Sequence, residues 1–300
     1  MRLPLLDIPA SPGKFLLDVG PFHVRWYGFL IAIGVILAIY IARHELRRRG
    51  LDPEIAWPVA AWTVPAGIIG ARVYHVVTDW SRFSDNLSGI PKLWEGGLGM
   101  PGVIVGGAIG AAIGARRAGV GALTMFDCVI PGVLAAQVLG RWGNYFNQEL
   151  FGGPTSLPWG LEVDERYRPD AYAADTTFHP TFLYESLANL LLLALLYWFI
   201  RNYFRRVEPG TIFAAYLVGY GFVRFWVEGL RVDPAHEFWG MRLNQWVFLV
   251  VFLLASAFLI RALRRMQPPE PPEQAPAVRG ERPGARGTER GRRAAQGRRS

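Results

Sequence analysis

The sequence has a single cysteine, Cys128, so no disulfide bond can form within the chain. It also lacks the His-Glu-x-x-His spacing of zinc hydrolases and the Gly-x-Ser-x-Gly turn of serine lipases. Cys128 lies inside an apolar run with no histidine beside it, which is typical of a small buried residue. We therefore expect neither a metal nor another cofactor, and no nucleophilic thiol supplied by this chain.

Charged residues are scarce for a chain of this length, at 19%, whereas 51% of the residues are hydrophobic. Several mostly apolar runs reach the length of about 18 to 22 residues that a bilayer core of roughly 30 Å requires. The formal net charge is +8, yet no aromatic-basic motif for nucleic acid accompanies it. Basic loops beside anionic lipid headgroups explain the charge more simply. We predict an all-α, polytopic membrane protein that interacts with membrane lipids and not with nucleic acid.

The apolar runs predict seven transmembrane helices. They cover approximately residues 23–42, 57–78, 100–117, 122–140, 180–200, 210–228 and 242–263. The third is rich in glycine, which indicates a helix packed closely against its neighbours rather than a loop. Residues 1–266 are expected to form one membrane domain. Residues 267–300, rich in Pro, Arg and Gly, are expected to be a disordered cytoplasmic tail.

Arginines between the predicted helices determine the expected orientation. They cluster in the first, third and fifth connections and directly after the seventh helix, namely Arg43, Arg47, Arg48, Arg49, Arg116, Arg117, Arg201, Arg205, Arg206, Arg261, Arg264 and Arg265. With seven crossings all four clusters fall on one side, which the positive-inside rule makes cytoplasmic. The amino terminus and the long loop 141–179 then lie outside, and the carboxyl terminus lies in the cytoplasm.

A polar stretch, Gly140–Glu149, ends the fourth apolar run. Arg141, Asn144, Asn147 and Glu149 alternate there with aromatic residues, more polar groups than a helix end needs. The other outer helix ends are polar as well, whereas the inner halves carry almost no polar residues. The residues concerned at the other outer ends are Tyr27, Arg72, His179, Glu185, Tyr220, Arg224, Glu228 and Arg231. This asymmetry predicts a functional site that opens toward the outer leaflet.

The charges in this layer predict the kind of ligand. Tyr220, Arg224 and Glu228 recur every four residues and share one helix face. Arg224 and Glu228 could simply neutralise each other within the helix, with Arg231 extending to water. Arg141 adds a second cation nearby, however, and buried guanidinium groups need compensation. Because guanidinium groups bind phosphate in a bidentate fashion, we predict a site for a phospholipid headgroup.

Two further residues leave alternatives open. His179 precedes a proline at the start of the fifth helix, where it is either an interface histidine or part of the site. Glu185 lies one turn further in, and a carboxylate inside the apolar boundary indicates function. Glu185 either orients an arginine or accepts a proton.

The polar motifs resemble those of the bacterial prolipoprotein diacylglyceryl transferase family over residues of about 20–262. The resemblance rests most specifically on Gly-Arg-x-Gly-Asn-x-x-Asn-x-Glu and Tyr-Gly-x-x-Arg-Phe-x-x-Glu, taken together. The stretches that carry it are Trp26–Gly28, Gly70–Arg72, Trp94–Gly97, Asp127–Pro131, Gly140–Glu149, His179–Glu185 and Tyr220–Asp233.

The resemblance implies a multi-pass enzyme of the bacterial plasma (inner) membrane. It would transfer the diacylglyceryl group of phosphatidylglycerol to the lipobox cysteine of prolipoprotein signal peptides and release glycerol phosphate. Arg141 and Arg224 match the essential arginines of the family, and with Glu185 they are the expected catalytic residues. The expected substrate-binding residues are Tyr27, Arg72, Arg141, Asn144, Glu149, His179, Tyr220, Glu228 and Arg231.

This chain departs from the family at one position. Family members often have a histidine, considered for the base, where this sequence has Pro101. Either that histidine is not obligatory or another residue replaces it, and we favour Glu185 over His179. Two other classes remain as alternatives: an anion transporter, which would place polar groups at the membrane midplane, and a lipid-binding assembly factor, which would not need Glu185.

Overall fold

The computed structural model describes residues 7–20, 22–84, 86–93, 96–203 and 205–266. These residues contain seven α-helices at the positions of the seven predicted segments. The helices are α1 (Trp26–Arg48), α2 (Ala56–Thr78), α3 (Met100–Arg117), α4 (Ala122–Asn147), α5 (Thr181–Tyr203), α6 (Thr211–Leu230) and α7 (Leu243–Arg264). By length and composition, α1, α4, α5 and α7 could each cross a membrane. The predicted tail, 267–300, lies outside the described residues.

The end of α4 differs from the prediction. We expected the helix to stop at residue 140, but it continues to Asn147 and ends at Gln148, whose φ of 53° is left-handed. None of the residues from Arg141 to Asn147 forbids helix, and aromatic contacts hold this last part of α4 in place. Trp26 stacks on Phe146 at 4.5 Å between ring centroids. The loop that we predicted for 141–179 therefore begins at Gln148, and Arg141 and Asn144 project from a rigid helix.

Glycines bring α2 and α3 into direct backbone contact. A Cβ added to Gly70 would lie 2.3 Å from the carbonyl oxygen of Gly102, and one added to Gly106 would lie 2.2 Å from that of Ala66. Only residues without a side chain allow this approach. The glycine-rich third segment is thus a packed helix, as its composition predicts. The remaining helices pair mainly as α1 with α4, α4 with α5, and α6 with α7.

Three antiparallel two-stranded ribbons supplement the helices. They are β1 (Phe15–Val19) with β2 (Phe22–Arg25), β3 (Leu161–Glu162) with β4 (Thr177–Phe178), and β5 (Glu237–Phe238) with β6 (Met241–Arg242). The loop between α4 and α5 has a small core of its own, formed by Phe151, Leu161, Val163, Phe178 and Phe182. This long connection is therefore an ordered cap over the ends of α4 and α5.

Polar residues are also buried at the opposite end of the bundle, which corrects the expected asymmetry. Glu45 and Asp127 are 2% and 1% exposed. Asp127 accepts hydrogen bonds of 2.9 Å from the backbone N–H groups of Gly210 and Phe213, and so caps the first turn of α6 from a neighbouring helix. The apolar surroundings of Asp127 in the sequence give no sign of this capping role, because the backbone groups that it caps lie more than 80 residues away.

Candidate active site

Arg141, on the helical part of the polar stretch, contacts α5 and α6. Its Nη2 lies 2.7 Å from Oε2 of Glu185, an ion pair without the alignment of a hydrogen bond. The same Nη2 donates to the hydroxyl of Tyr220 at 3.2 Å. One turn along each helix, Gln137 Nε2 donates to the hydroxyl of Tyr216 at 2.9 Å. The spacing of four residues on both helices thus creates two consecutive contacts between α4 and α6.

Arg224, on α6, lies between two carboxylates. Its Nη1 donates to Glu185 Oε1 at 2.9 Å, and its Nη2 donates to Glu228 Oε2 at 2.6 Å. Glu185 therefore faces Arg224 with one oxygen and Arg141 with the other. The predicted pair of Arg224 with Glu228 exists, but it does not isolate Arg224, because Glu185 connects it to Arg141.

The network continues beyond α6 to the start of α7. Helix α6 ends at Leu230, yet Arg231 still donates from Nη1 to Glu228 Oε2 at 3.0 Å. Arg231 also forms a bidentate pair with Asp233, at 2.7 and 2.8 Å. Arg242 donates to Asp233 Oδ2 at 2.9 Å, and its Nε lies 3.2 Å from Glu228 Oε1.

Asp233, which lies between α6 and α7, has a pKa below its usual value. Burial by itself would raise the pKa of this carboxyl group. Hydrogen bonds and positive charge from Arg231, together with those from Arg242, outweigh the burial and lower it. Asp233 is thus held as a carboxylate that joins the end of α6 to the beginning of α7.

We call this set the arginine–carboxylate network. Its members are Arg141, Arg224, Arg231, Arg242, Glu185, Glu228 and Asp233. Four guanidinium groups face three carboxylates, which leaves one unbalanced positive charge. Glu228 is 0% exposed and Arg224 6%, so water screens these charges weakly. An anion with spare oxygens would balance the charge.

The sequence did not lead us to three residues that belong to the network or contact it. Arg242 and Asp233 complete the ion pairs, and Asn244 donates from Nδ2 to Glu228 Oε1 at 3.1 Å. Asp233 was inside the stretch that carries the family resemblance, two residues after Arg231. The polar start of an otherwise apolar helix, Arg242 to Gln245, was the signal that could have indicated that α7 contributes to the site.

A second polar group lies beside Arg141 at the end of α4. Asn144 and Asn147 both donate to Glu149 Oε1, at 2.9 and 3.0 Å. The ring of Tyr27 occupies the space that a side chain on Gly143 would fill. The structure therefore brings Tyr27, Asn144 and Glu149 together next to the network.

Arg72 has a different environment from the one expected. Its five N–H donors bond to backbone carbonyl oxygens of Gly89, Ile90, Lys92, Gly96 and Gly97, at 2.6 to 3.3 Å. These donors are all that a guanidinium group has, so none is left for a phosphate. Among the described contacts, Arg72 has none to the arginine–carboxylate network. Arg72 instead organises the connection between α2 and α3.

His179 and Pro101 also lie apart from the network in the described contacts. Nδ1 of His179 is 3.1 Å from the hydroxyl of Tyr184, which accepts from Nε1 of Trp159 at 3.0 Å. Pro101 occupies the first turn of α3, where a missing N–H costs nothing. In the described part of the chain, no three His, Cys, Asp or Glu side chains meet as they would around a metal ion.

The fold and this site define a helical membrane protein with a buried cationic site near one end of its helices. Residues 14–261 match the family described as prolipoprotein diacylglyceryl transferase. The chain belongs to this family.

Three relatives illustrate how close the match is; each is named phosphatidylglycerol–prolipoprotein diacylglyceryl transferase, with a number 1 added for the one from Streptomyces coelicolor. The protein from Frankia alni is 41% identical over 89% of this chain and 71% of its own length. That from S. coelicolor is 44% identical over 85% and 74%, respectively. That from Synechococcus elongatus is 40% identical over 86% and 91%.

Proposed function

We propose that this protein transfers the diacylglyceryl group of phosphatidylglycerol to the lipobox cysteine of prolipoprotein signal peptides and releases glycerol phosphate. The names of its relatives give the two substrates. The observation that carries the proposal is that one buried carboxylate, Glu185, pairs with both Arg141 and Arg224. Family membership and this pairing favour a transferase over the transporter and the assembly factor.

Arg141 and Arg224 bind the phosphate of the lipid in this proposal. Their guanidinium groups face the same carboxylate, so a phosphate entering beside Glu185 reaches donors from both. Arginine suits this role because its planar fork matches two phosphate oxygens. Since the network has one excess positive charge, the bound phosphate does not have to displace a carboxylate.

The chemical step consists of one bond formed and one broken. The thiolate of the lipobox cysteine attacks the glyceryl carbon, and a carbon–sulfur bond replaces the bond from that carbon to the phosphate oxygen. The oxygen and its electron pair leave with glycerol phosphate. Negative charge grows on the leaving phosphate, and positioned cations in a weakly screened site stabilise it. Arg141 and Arg224 supply those cations.

Glu185 accepts the thiol proton in this proposal. Before the lipid binds, two guanidinium groups stabilise its negative charge. Because Glu185 lies between Arg141 and Arg224, a thiol that attacks a lipid held by these arginines brings its proton to this carboxylate. Glu185 therefore orients the arginines and serves as the base, in a chain that has Pro101 at the family's histidine position.

The remaining predicted residues bind or position the substrates. Tyr27, Asn144 and Glu149 lie beside Arg141 and suit the glycerol of the headgroup, which offers hydroxyls. Tyr220, Glu228 and Arg231 hold the two catalytic arginines in place, and Asp233 and Arg242 support them. Arg72 contributes indirectly, by organising the loop between α2 and α3. His179 contributes indirectly, as part of the cap over α5.

We propose seven membrane crossings, with the amino terminus outside and the carboxyl terminus in the cytoplasm of a bacterial cell. The basic connections support this orientation of a multi-pass plasma (inner) membrane protein. The network then faces the outer leaflet, from which phosphatidylglycerol diffuses in. Residues 1–266 form the transferase domain.

The purified protein in phosphatidylglycerol vesicles with a synthetic lipobox peptide tests the proposal. We expect mass spectrometry to show the peptide with a thioether-linked diacylglyceryl group, and one glycerol phosphate per modified peptide. A peptide with serine in place of the cysteine, and vesicles of phosphatidylcholine alone, are the controls and should give no product. Absence of modified peptide in phosphatidylglycerol vesicles would refute the proposed activity.

A further inference from the structure

Buried polar atoms lie one helical turn below the contact between Arg141 and Glu185. Asn189 is 0% exposed, and among the described residues neither its Oδ1 nor its Nδ2 has a hydrogen-bond partner. In the same described region, Oε1 of Gln137 and Oε2 of Glu185 are buried without an aligned hydrogen bond. Buried polar atoms without partners are costly, so such a group calls for a ligand.

The helix contacts direct these atoms to a common place. On α5, Phe182 and Ser186 face α4, whereas Glu185 faces Arg224 on α6. Asn189 follows Glu185 by four residues and Phe182 by seven, so its side chain points between α4 and α6. Gln137 reaches across the same space from α4 to the hydroxyl of Tyr216 on α6, at 2.9 Å.

The depths agree as well. The hydroxyl of Ser186 donates to the carbonyl of Val138 at 3.1 Å, which places these two residues level with each other on antiparallel helices. Asn189 lies three residues further from the site end, about 4.5 Å at the rise of an α-helix. Helical side chains tilt toward the amino terminus, so Asn189 on α5 tilts toward the site and Gln137 on α4 tilts away from it. The two amides therefore converge.

We propose that bound water occupies this space, with Asn189, Gln137 and Glu185 as its protein partners. The acceptor oxygens are one each from Asn189, Gln137 and Glu185, and the donor is the Asn189 amide nitrogen. One or two water molecules satisfy these groups, because each water donates two hydrogen bonds and also accepts. A water that donates to Oε2 of Glu185 fixes the carboxylate from below while Arg141 holds it from the side. Asn189 is then a positioning residue for Glu185, a role that rests on the proposed function.

Hydroxyl-radical footprinting by pulsed X-rays tests for the water directly, because the radicals form from water beside the residue that they modify. The intact protein in detergent or nanodiscs is the sample, and the readout is modification of Tyr216, which is 7% exposed. We expect Tyr216 to be modified in the wild type. We expect Asn189→Leu to reduce the modification severalfold and Ser186→Ala, which removes a hydroxyl that already has its partner, to leave it unchanged.

Failure to modify Tyr216 in the wild type would overturn the water site, whether or not the variants fold. Transfer kinetics test the positioning role separately. We expect Asn189→Leu to lower kcat, to leave KM for phosphatidylglycerol unchanged and to shift the acid limb of the pH profile, with Ser186→Ala as the control. An unchanged pH profile in Asn189→Leu would overturn the positioning role. A wild type without transfer would contradict the proposed function alone, since footprinting does not depend on activity.

Discussion

At the scale of single residues, the site is defined by how charges share partners. Glu185 pairs with Arg141 and Arg224, and Glu228 pairs with Arg224 and with Arg231 just beyond the end of α6, so each carboxylate joins two guanidinium groups. Removing one carboxylate would leave two arginines less compensated in a buried place, which is destabilising. The network for this reason connects α4, α5 and α6, and in the proposed function it also binds the phosphate.

Replacing Glu185 with glutamine separates orientation from proton transfer. Glutamine keeps an oxygen for one guanidinium group but cannot accept the thiol proton, so we expect transfer to fall by about 10²–10⁴-fold, the usual contribution of a general base. Glu162→Gln is the matched control, because that carboxylate is exposed on the cap. Initial rates with the lipobox peptide provide the measurement. A Glu185→Gln protein with wild-type rates would show that Glu185 accepts no proton.

Periodicity predicted some of these residues and could not predict others. Tyr220, Arg224 and Glu228 share a face because they lie four residues apart, and the structure has Tyr220 with Arg141 and Glu228 with Arg224. Arg242 pairs with Glu228 on α6 and with Asp233 beyond the end of α6, and no local pattern shows which parts of the chain become neighbours. Arg72 shows the converse. Its position in the sequence resembles that of a site arginine, but its N–H groups donate to backbone carbonyls of the loop between α2 and α3, and no sequence pattern indicates these bonds.

At the scale of secondary-structure elements, the bundle depends on close contact between α2 and α3. We expect Gly106→Ala to destabilise the protein by about 1–3 kcal/mol, the usual cost of overpacking. The added methyl group would meet the carbonyl oxygen of Ala66 at 2.2 Å. Gly107→Ala is the matched control, since its nearest contact would be Thr63 Cγ2 at 3.9 Å. Thermal unfolding in detergent measures both; equal melting temperatures for the two variants would contradict the packing argument.

The connection between α6 and α7 should make stability depend on pH. The folded-state pKa of Asp233 is lowered from 3.8, so its stabilising contribution is complete above that value and is lost as the pH falls through the folded pKa. We expect the melting temperature of the wild type to decrease on acidification below about pH 4, the ordinary range of an aspartate. Asp233→Asn should melt lower at neutral pH and show a smaller decrease. A parallel decrease in both proteins would assign the acid sensitivity to other groups.

Helices were predictable from the sequence and their ends were less so. The apolar runs of the sequence located both ends of α2 and α3 within one residue. The predicted end of α4 is seven residues too early, because the prediction ends the helix where the polar residues begin. What ends α4 is the left-handed Gln148, and the long cap that follows begins there. Backbone conformation at such a position depends on tertiary contacts that a sequence pattern does not contain.

At the scale of the whole molecule, the proposed orientation can be measured because the chain has one cysteine, which is buried. In a Cys128→Ala background, single cysteines replace Glu165 in the cap and Arg116 in the last turn of α3, both exposed. We expect a membrane-impermeant maleimide added to intact cells to label position 165 and not position 116. Lysed cells should allow labelling of both. Labelling of position 116 in intact cells would contradict the orientation.

The charge balance of the whole site makes Arg141 its most informative residue. The polar stretch that ends α4 places this guanidinium group against Glu185 on one helix and Tyr220 on another. Among the members of the network, Arg141 alone lies on α4. In the proposed function, Arg141 and Arg224 together stabilise the departing phosphate.

Transfer by purified Arg141→Ala in phosphatidylglycerol vesicles tests this claim most directly. We expect a loss of at least about 10²–10³-fold, the cost of removing one charge-stabilising donor. The variant should insert and elute as the wild type does. Arg261→Ala, which removes a guanidinium group that pairs with Glu208 outside the network, should transfer at the wild-type rate. Substantial transfer by Arg141→Ala, within a few-fold of the Arg261→Ala control, would contradict the account.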